Sequence, residues 1–526
     1  MSKGKADTRR IVLSSLTGIL LGLFLVFGFC TQSLNRLPVS DVRMWLLLIV
    51  ISAAFSALVF LFLGWKGIRN SAKIVSPKAR RNFVLCASAF MLVFWLIQLL
   101  GIYPGFFNYD ADEQWIMYAN SAVTAHHPVI HTYLVGKCLH LSYLVFKSPL
   151  PGCFLYVCFQ MLLCAGAFGA VLSFLLKKRL GIIWGIVATI YFTFAPTVVI
   201  CVMSVTKDSM FTPFLILFVL ETIRFLTLKE GEKQGGFHVA VWFVSAFLAS
   251  VLRNNALYVM VPFMIFLIIA FRKSKTVFGL LGVIAALILY LGPVTSLITV
   301  EGVNEREYLS VPVQQLMRVY HLHKDELKED EIRQFEEAFE TDALVAYIPK
   351  IADVAKGSLK RDYFDANRKE MVKLWMNLGS RYPAEYAEAF LMGNAGFWYP
   401  WTRLALTANG AEGYYVCRSY LPVWNASKIP AIMEYYKHYE NANVVCNNPF
   451  TMWIFAPATY FIAFLLTFVW LVYKRSRESL ALLAVLLIWL TFLLGPVALV
   501  RYVGFLYGMI PLEIALLAKP KEEENE

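Results

Sequence analysis

The chain consists largely of long apolar segments separated by shorter polar connections. Each of twelve segments is longer than a buried strand and lacks a polar stripe. A helix of about 20 such residues crosses a hydrocarbon core roughly 30 Å thick. The segments lie near residues 11–29, 44–63, 83–102, 154–176, 182–200, 209–228, 237–252, 256–271, 277–297, 452–473, 480–500 and 502–518. The pattern predicts an all-α polytopic membrane protein with about twelve transmembrane helices.

Composition supports this prediction. Hydrophobic residues make up 59% of the 526 residues and charged residues only 16%, whereas soluble domains carry roughly 25% charge. A soluble fold of this size cannot bury that much apolar surface.

Lysine and arginine positions predict the orientation. With the N-terminus inside, the cytoplasmic connections and tails hold 24 basic residues, and the opposite short loops hold 7. The positive-inside rule therefore places both termini in the cytoplasm, and we expect a plasma-membrane protein. Residues 127–146 are apolar enough to be a thirteenth span, but counting them as one would place the basic residues 177–179 on the outer side of the membrane. We predict a helix lying on the membrane surface there.

This topology divides the chain into three parts. Residues 1–299 form a transmembrane module whose first outer loop is 103–150, residues 300–450 an extracytoplasmic domain, and residues 451–526 the last transmembrane helices and a tail. The net charge of +12 is mostly a topology signal, so no nucleic-acid partner is expected.

The nine cysteines include no CxxC pair, which argues against a zinc site. Cys417 and Cys446 are the only two in the predicted outer domain, and an oxidising compartment could join them in a disulfide.

An acidic cluster directly follows the third segment. If a helix begins near Asp110, then Asp110, Glu113 and Gln114 share one face while Asp112 turns away. A carboxylate at an apolar boundary can have a raised pKa and act as a general base. Alternatively, Asp110 caps the helix and Glu113 completes a capping box. No cofactor is certain, although a divalent metal at Asp110 and Asp112 is a further possibility.

Other polar residues fall on the same predicted face. The pair His126 and His127, followed by Pro128, could bind a metal or position a substrate, but no third ligand stands at useful spacing. A polar start to a helix explains the pair equally well.

Three hairpins on this face, which is otherwise poor in cations, each present one. They hold Lys207, Arg253 followed by Asn254 and Asn255, and Arg501 followed by Tyr502. Lysine and arginine pair well with phosphate, so an anionic ligand is indicated. The alternative is that these side chains merely extend to lipid headgroups.

At these residues the sequence resembles the GT-C class of integral-membrane glycosyltransferases, which use polyprenyl-phosphate-linked sugars. An acidic residue after an early transmembrane helix matches Asp110, and a proline-containing segment before a surface helix matches Pro128. Residues 83–271 carry the resemblance by pattern and the rest by topology. It is closest to uncharacterised bacterial multi-pass proteins of this type, in which stretches like residues 253–255 and 312–315 recur. The class has an adjacent Asp-Glu pair, whereas the acidic motif here is Asp110-Ala-Asp112-Glu113.

The resemblance implies transfer of a sugar from a polyprenyl-phosphate donor to a glycan or other cell-envelope acceptor at the outer leaflet. Asp110 would be the base, assisted by Glu113 and Asp112, and Lys207, Arg253 and Arg501 would hold the phosphate. Positioning of the substrate would fall to Gln114, His127, Asn254, Asn255 and Tyr502. A polymerase or ligase of lipid-linked glycans, or a transporter or lipid flippase, are the alternatives.

Overall fold

A computed structural model describes residues 3–68, 75–228, 235–270, 276–300, 308–345, 347–403, 426–440 and 442–518. Apart from two very short strands, these residues are helices and connections, and the protein is an all-α polytopic membrane protein. The predicted disulfide partner Cys417 lies outside the described residues.

Most helices belong to one bundle. Its N-terminal part comprises α1 (Lys3–Leu34), α2 (Val42–Gly64), α3 (Pro77–Gly101), α4 (Tyr109–Ala119), α5 (Val129–Phe146), α6 (Leu150–Lys177), α7 (Ile182–Phe194), α8 (Pro196–Met203), α9 (Lys207–Leu226), α10 (Gly236–Val251), α11 (Asn254–Ala270), α12 (Thr276–Leu289) and α13 (Thr295–Ile298). A π-helical turn, Tyr290–Val294, joins the last two. After the intervening domain come α24 (Pro457–Lys474), α25 (Glu478–Phe492) and α26 (Gly504–Leu516).

Among the described residues, eight helices are long and apolar enough to cross a membrane, and a bent pair would make nine. Three shorter apolar helices, α10, α11 and α25, have 10–17 residues. The eight include α5, which was predicted to lie on the membrane surface. Length and composition therefore support fewer spans than the twelve predicted.

Proline and glycine explain why several predicted segments are interrupted. Residues 182–200 form the pair α7 and α8, bent by 57°, because Pro196 lacks an N–H and Ala195 before it is extended. Residues 277–297 contain Pro293 within the π turn. Near residues 480–500 the helix α25 already ends at Phe492, shortly before Gly495 and Pro496.

Helix α5 packs against α6. Near its start, His131 Nε2 lies 2.7 Å from the Tyr156 hydroxyl. Near its end, the Ser142 hydroxyl accepts from Gly152 N at 2.9 Å. Helix α5 is therefore joined to α6 near both of its ends.

A second group of helices has its own hydrophobic core. It comprises α14 (Ser310–His323), α15 (Glu329–Ala338), α16 (Thr341–Val345), α17 (Ala352–Ser358), α18 (Arg361–Ala366), α19 (Arg368–Arg381) and α20 (Pro383–Asn394). The large buried side chains of this core include Phe335, Phe339 and Leu378. Three further helices, α21 (Pro430–Glu440), α22 (Ala442–Cys446) and α23 (Pro449–Phe455), lead back to the bundle.

The helical domain α14–α20 sits on one end of the bundle, which we call the domain end. The Arg318 guanidinium donates to the Asn35 carbonyl at 2.8 Å, and Glu388 accepts from Leu37 N at 2.6 Å. Both backbone groups belong to the loop between α1 and α2. At another point Ala352 N donates to the Pro496 carbonyl at 2.7 Å. The domain is therefore attached to both the first and the last helices of the bundle.

Candidate active site

A short strand pairing brings the first polar loop beside the connection that precedes α9. Strand β1 (Phe106–Phe107) pairs in parallel with β2 (Ser204–Val205). Helix α4 begins two residues after β1, and α9 begins two residues after β2. Because both strands run the same way, the first turns of α4 and α9 lie side by side at the domain end.

The side chain that caps α4 is Asn108, not Asp110. Asn108 accepts from Ala111 N at 3.4 Å, and the helix begins at Tyr109. The capping role considered for Asp110 is therefore wrong, because the cap lies two residues earlier, at Asn108. Asp110 lies in the first turn with its carboxylate available to other groups.

Asp110 is held by two cations from other helices. The Arg501 guanidinium donates to both of its oxygens, at 2.8 and 3.2 Å. The Lys207 ammonium lies 3.5 Å from Oδ2. Arg501 belongs to a 3₁₀ turn, Val500–Val503, that leads into α26. The fold thus joins residues nearly four hundred positions apart in the chain.

A second carboxylate, Asp208, completes this cluster and was missed in the sequence. It is 1% exposed, forms a very short ion pair with Arg253 and accepts from Arg501 at 3.3 Å. Its signal was an acidic residue next to Lys207 at the start of a predicted span, where an ionised carboxylate requires partners. We call Asp110, Lys207, Asp208, Arg253 and Arg501 the mouth cluster.

Aromatic rings cover one side of the mouth cluster. The Arg253 guanidinium lies 4.2 Å from the Phe492 ring centre and 4.9 Å from that of Tyr502, and Arg501 lies 5.2 Å from the Tyr502 centre. The Nε of Arg253 is buried without a hydrogen-bond partner in the described part of the chain. The three predicted cations therefore converge on one place instead of spreading around the rim.

The charges of the cluster decide the ionisation of Asp110. Burial opposes ionisation, but the charges of Arg501 and Lys207 outweigh it and hold the pKa of this carboxyl well below its usual range. The raised pKa predicted from the apolar boundary is wrong, because Arg501 and Lys207 lie beside this carboxyl. Asp110 is ionised in this structure and cannot donate a proton.

His127 links the cluster to the surface. Its Nδ1 lies 3.1 Å from the Lys207 ammonium, and its Nε2 lies 3.0 Å from Glu113 Oε2. The His127 side chain is 3% exposed and that of Glu113 is 53% exposed. The Asn254 amide nitrogen, at 3.4 Å, donates to the carbonyl of His126.

Glu113, His126 and His127 form a group whose ligand atoms all lie within 4.8 Å of one another. The sequence did not reveal the third member, because Glu113 lies 14 residues before His127 and the chain leaves the helix α4 between them. The second nitrogen of a metal-bound histidine normally donates to a carboxylate or carbonyl. Here that nitrogen faces the Lys207 ammonium, so the geometry is that of a hydrogen-bonded imidazole and does not favour a metal ligand.

The divalent metal considered at Asp110 and Asp112 would need both carboxylates on one face of α4, and they do not share a face. Residues two apart in sequence are rotated by about 200° around the helix axis and so lie on nearly opposite faces. Asp112 is buried, with 1% exposure. Both oxygens of Asp110 already accept from Arg501. The two carboxylates are therefore not arranged as a pair of metal ligands.

Gln114 belongs to a buried polar network beside the cluster. Its Oε1 lies 2.7 Å from His131 Nδ1, and the Tyr156 hydroxyl, bonded to His131 on the other side, donates to Gln160 Oε1 at 3.2 Å. Gln160 in turn donates to the carbonyls of Val202 and Ser204. This network joins α4, α5 and α6 to β2. Gln114 therefore supports the packing of these elements and takes no part in the ion pairs of the mouth cluster described above. Asn255 is half-buried in the first turn of α11.

The chain belongs to a family of unknown function, DUF6020, whose model matches residues 118–515. No curated protein and no solved structure matched the chain. The matched range begins after Asp110 and includes His127 together with the other four members of the mouth cluster.

Proposed function

We propose that this protein is a membrane glycosyltransferase of the GT-C type. It moves a sugar from a polyprenyl-phosphate donor to a cell-envelope acceptor at the outer leaflet of the plasma membrane. The domain end then faces outward, as the distribution of lysine and arginine predicts. The observation that carries the proposal is the mouth cluster, because it places three cations, the groups that pair well with a phosphate, beside an ionised carboxylate.

The charge of the mouth cluster suits a singly charged phosphodiester. Three cations, Lys207, Arg253 and Arg501, face two carboxylates. One further anion balances them, and a sugar linked to a polyprenyl chain through one phosphate carries one negative charge. Arginine pairs with phosphate oxygens through two parallel hydrogen bonds. The buried Nε of Arg253 offers one more donor.

Binding of the phosphate would also prepare Asp110. Its bidentate partner Arg501 is one of the groups that a phosphate would engage, so the donor competes with Asp110 for that guanidinium. Once released, the carboxylate regains a pKa closer to its ordinary value and becomes a better proton acceptor. Asp110 then accepts the proton of the acceptor hydroxyl while the hydroxyl oxygen attacks the anomeric carbon. The bond to the phosphate oxygen breaks, and the cations stabilise the charge that develops there.

The rest of the architecture is compatible with this activity. Twelve spans result if α7 and α8 count as one bent span, if the short helices α10, α11, α25 and α26 also cross, and if α5 lies on the surface. The polar residues His131, Lys137 and His140 of α5 favour a surface position. Asn254, Asn255 and Tyr502 line the same end and are candidates to orient the donor. The helical domain over this end would limit access of water.

A transporter or lipid flippase is the second candidate, and one observation favours it. Helices interrupted within the membrane are typical of transporters, and the pair α7 and α8 is bent by 57°. The same cations would then bind a lipid phosphate that is moved and not cleaved.

The test is sugar transfer by the purified protein in lipid nanodiscs, with polyprenyl-phosphate sugars as donors and detection of both released polyprenyl phosphate and sugar product. Arg253→Gln and Arg501→Gln should each weaken donor binding about tenfold or more, since each removes a charge-assisted pair worth roughly 1.5–3 kcal/mol. Arg43→Gln is the matched control, because Arg43 is exposed near the same end and pairs with its neighbour Asp41.

Donor binding that depends on both arginines, together with cleavage of the donor, supports the proposal. Movement of an intact lipid phosphate between leaflets of liposomes, without cleavage, would favour the flippase. Equal donor binding by wild type and both arginine variants would refute the phosphate site.

A further inference from the structure

A chain of polar contacts leads from the mouth cluster to the surface. It runs from Asp110 Oδ2 to the Lys207 ammonium over 3.5 Å, from there to His127 Nδ1 over 3.1 Å, and from His127 Nε2 to Glu113 over 3.0 Å. Its first members are largely buried, and only Glu113 is more than half exposed. The contacts therefore connect a carboxylate that is 17% exposed to one that is 53% exposed.

The partners of His127 fix its state. A lysine ammonium has only donors, so Nδ1 of His127 must accept, and Nε2 then carries the hydrogen that it donates to the Glu113 carboxylate. Burial and the charge of Lys207 outweigh the hydrogen bond to Glu113 and lower the pKa of His127. The titratable groups that face the ring are Lys207, Glu113, Asp110, His126 and His131. The resting ring is neutral and bridges a donor and an acceptor.

The proposed transfer reaction leaves one proton in the site. The acceptor oxygen forms a bond to the anomeric carbon, the electron pair of the broken bond stays on the phosphate, and the hydroxyl proton passes to Asp110. A protonated Asp110 no longer balances Lys207 and Arg501, so the proton must leave before the next turnover.

We propose that His127 is a relay residue that conducts this proton from Lys207 to Glu113 and so to water. The inference rests on the proposed function and adds an exit path to it. Lys207 first gives one of its protons to Nδ1, while the Nε2 hydrogen passes to Glu113, which releases it to solvent. The neutral amine of Lys207 then takes the proton from Asp110. One proton enters at Asp110 and one leaves at Glu113. The ring is left with its hydrogen on Nδ1, and it returns to the starting tautomer by taking a proton from solvent at Nε2 and releasing the proton on Nδ1 to solvent.

The test substitutes His127 with Asn. The Asn side chain places an amide near the position of Nδ1, so the contact with Lys207 can persist, but an amide does not pass a proton on. His140→Asn is the matched control, because His140 is an exposed residue on α5, outside the site. Donor binding, turnover and the pH dependence of turnover are measured for all three proteins, with and without added imidazole.

We expect His127→Asn to bind the donor within about twofold of wild type and to lose about tenfold or more in turnover, within the usual range for proton transfer. The pH profile should change, and free imidazole should restore part of the rate. A purely structural role would not produce this rescue. His140→Asn should match wild type throughout.

Two outcomes would overturn the relay while the proposed function stands. In the first, His127→Asn keeps the turnover and pH profile of an active wild type. In the second, metal analysis finds a stoichiometric divalent ion whose loss in His127→Asn accounts for the lost activity. A wild type that binds no donor and transfers no sugar would instead reject the proposed function itself.

Discussion

Two of the buried ion-pair systems in the described part of the chain are built differently. In the helical domain, Arg318 and Glu388 pair with each other and with backbone groups of the α1–α2 loop. We call this pair the Arg318–Glu388 clamp. In the mouth cluster, Asp110 and Asp208 are bound by side chains from α9 and from the residues before α11 and α26.

The difference indicates what each system can do. A backbone carbonyl or N–H in the clamp cannot move away without shifting the chain, so the clamp holds the domain in place. Side-chain partners can exchange, so a carboxylate in the mouth cluster can give way to another anion. Burial alone therefore does not distinguish a structural ion pair from a binding site, but the nature of the partners does.

The largest expected effect on stability comes from breaking the clamp. Arg318→Ala leaves Glu388 buried without its cation, and such a loss typically costs about 3–5 kcal/mol. The free energy of unfolding of the purified protein in detergent should fall by that amount. The double variant Arg318→Met with Glu388→Leu removes both charges and should recover much of the loss. A single variant as stable as wild type would show that the clamp does not hold the domain.

At the mouth cluster we expect a smaller loss of stability, because the substitution keeps a hydrogen-bond acceptor for the arginines, together with a gain in affinity for the lipid phosphate. Asp208→Asn keeps the shape of the side chain but leaves three cations facing only Asp110. Affinity for a polyprenyl phosphate should rise about tenfold, since one competing carboxylate is removed and a charged pair is worth roughly 1.5 kcal/mol. Titration of wild type and variant with the lipid at low and high salt checks this. Weaker binding would mean that Asp208 is needed to position Arg253.

The smallest effect is a pH dependence of stability that His127 contributes. Its folded pKa is lowered by burial and by Lys207, so the unfolded chain takes up the proton first as pH falls below about 6.5. His127 therefore stabilises the fold above that pH and loses this contribution as pH drops through the folded pKa. Melting temperatures at pH 7.5 and pH 5.5 should differ less in His127→Asn than in wild type. An identical difference in both would contradict the lowered pKa.

Sequence patterns predicted the helical membrane fold and which residues meet at one end of it. Hairpin positions and charge asymmetry were sufficient to place Lys207, Arg253 and Arg501 on one face, because alternating spans return every second connection to the same side. They did not predict the lengths of the spans, since Pro196, Pro293 and Gly495 interrupt apolar runs whose hydropathy is continuous.

The pairing within the site could not be read from the sequence. The contact of Asp110 with Arg501, and that of Glu113 with His127, depend on the β1–β2 pairing and on the angle between helices. The direction of the Asp110 pKa shift follows from these distances, and an apolar neighbourhood alone suggests the opposite sign. Asp208 was visible as a charge at the start of a span, where an ionised group needs a partner.

The central claim is that Asp110 is the proton acceptor of a sugar transfer, and substitution of a single carboxylate tests it most directly. Transfer from a polyprenyl-phosphate sugar is measured for wild type, Asp110→Asn and Asp112→Asn, with donor binding and folded yield recorded for each. Because Asn108 caps α4, Asp110→Asn leaves the helix start intact. We predict that Asp110→Asn folds, binds donor and loses about a hundredfold or more in turnover, while Asp112→Asn keeps most of its activity per folded molecule. Full turnover by Asp110→Asn would contradict the account.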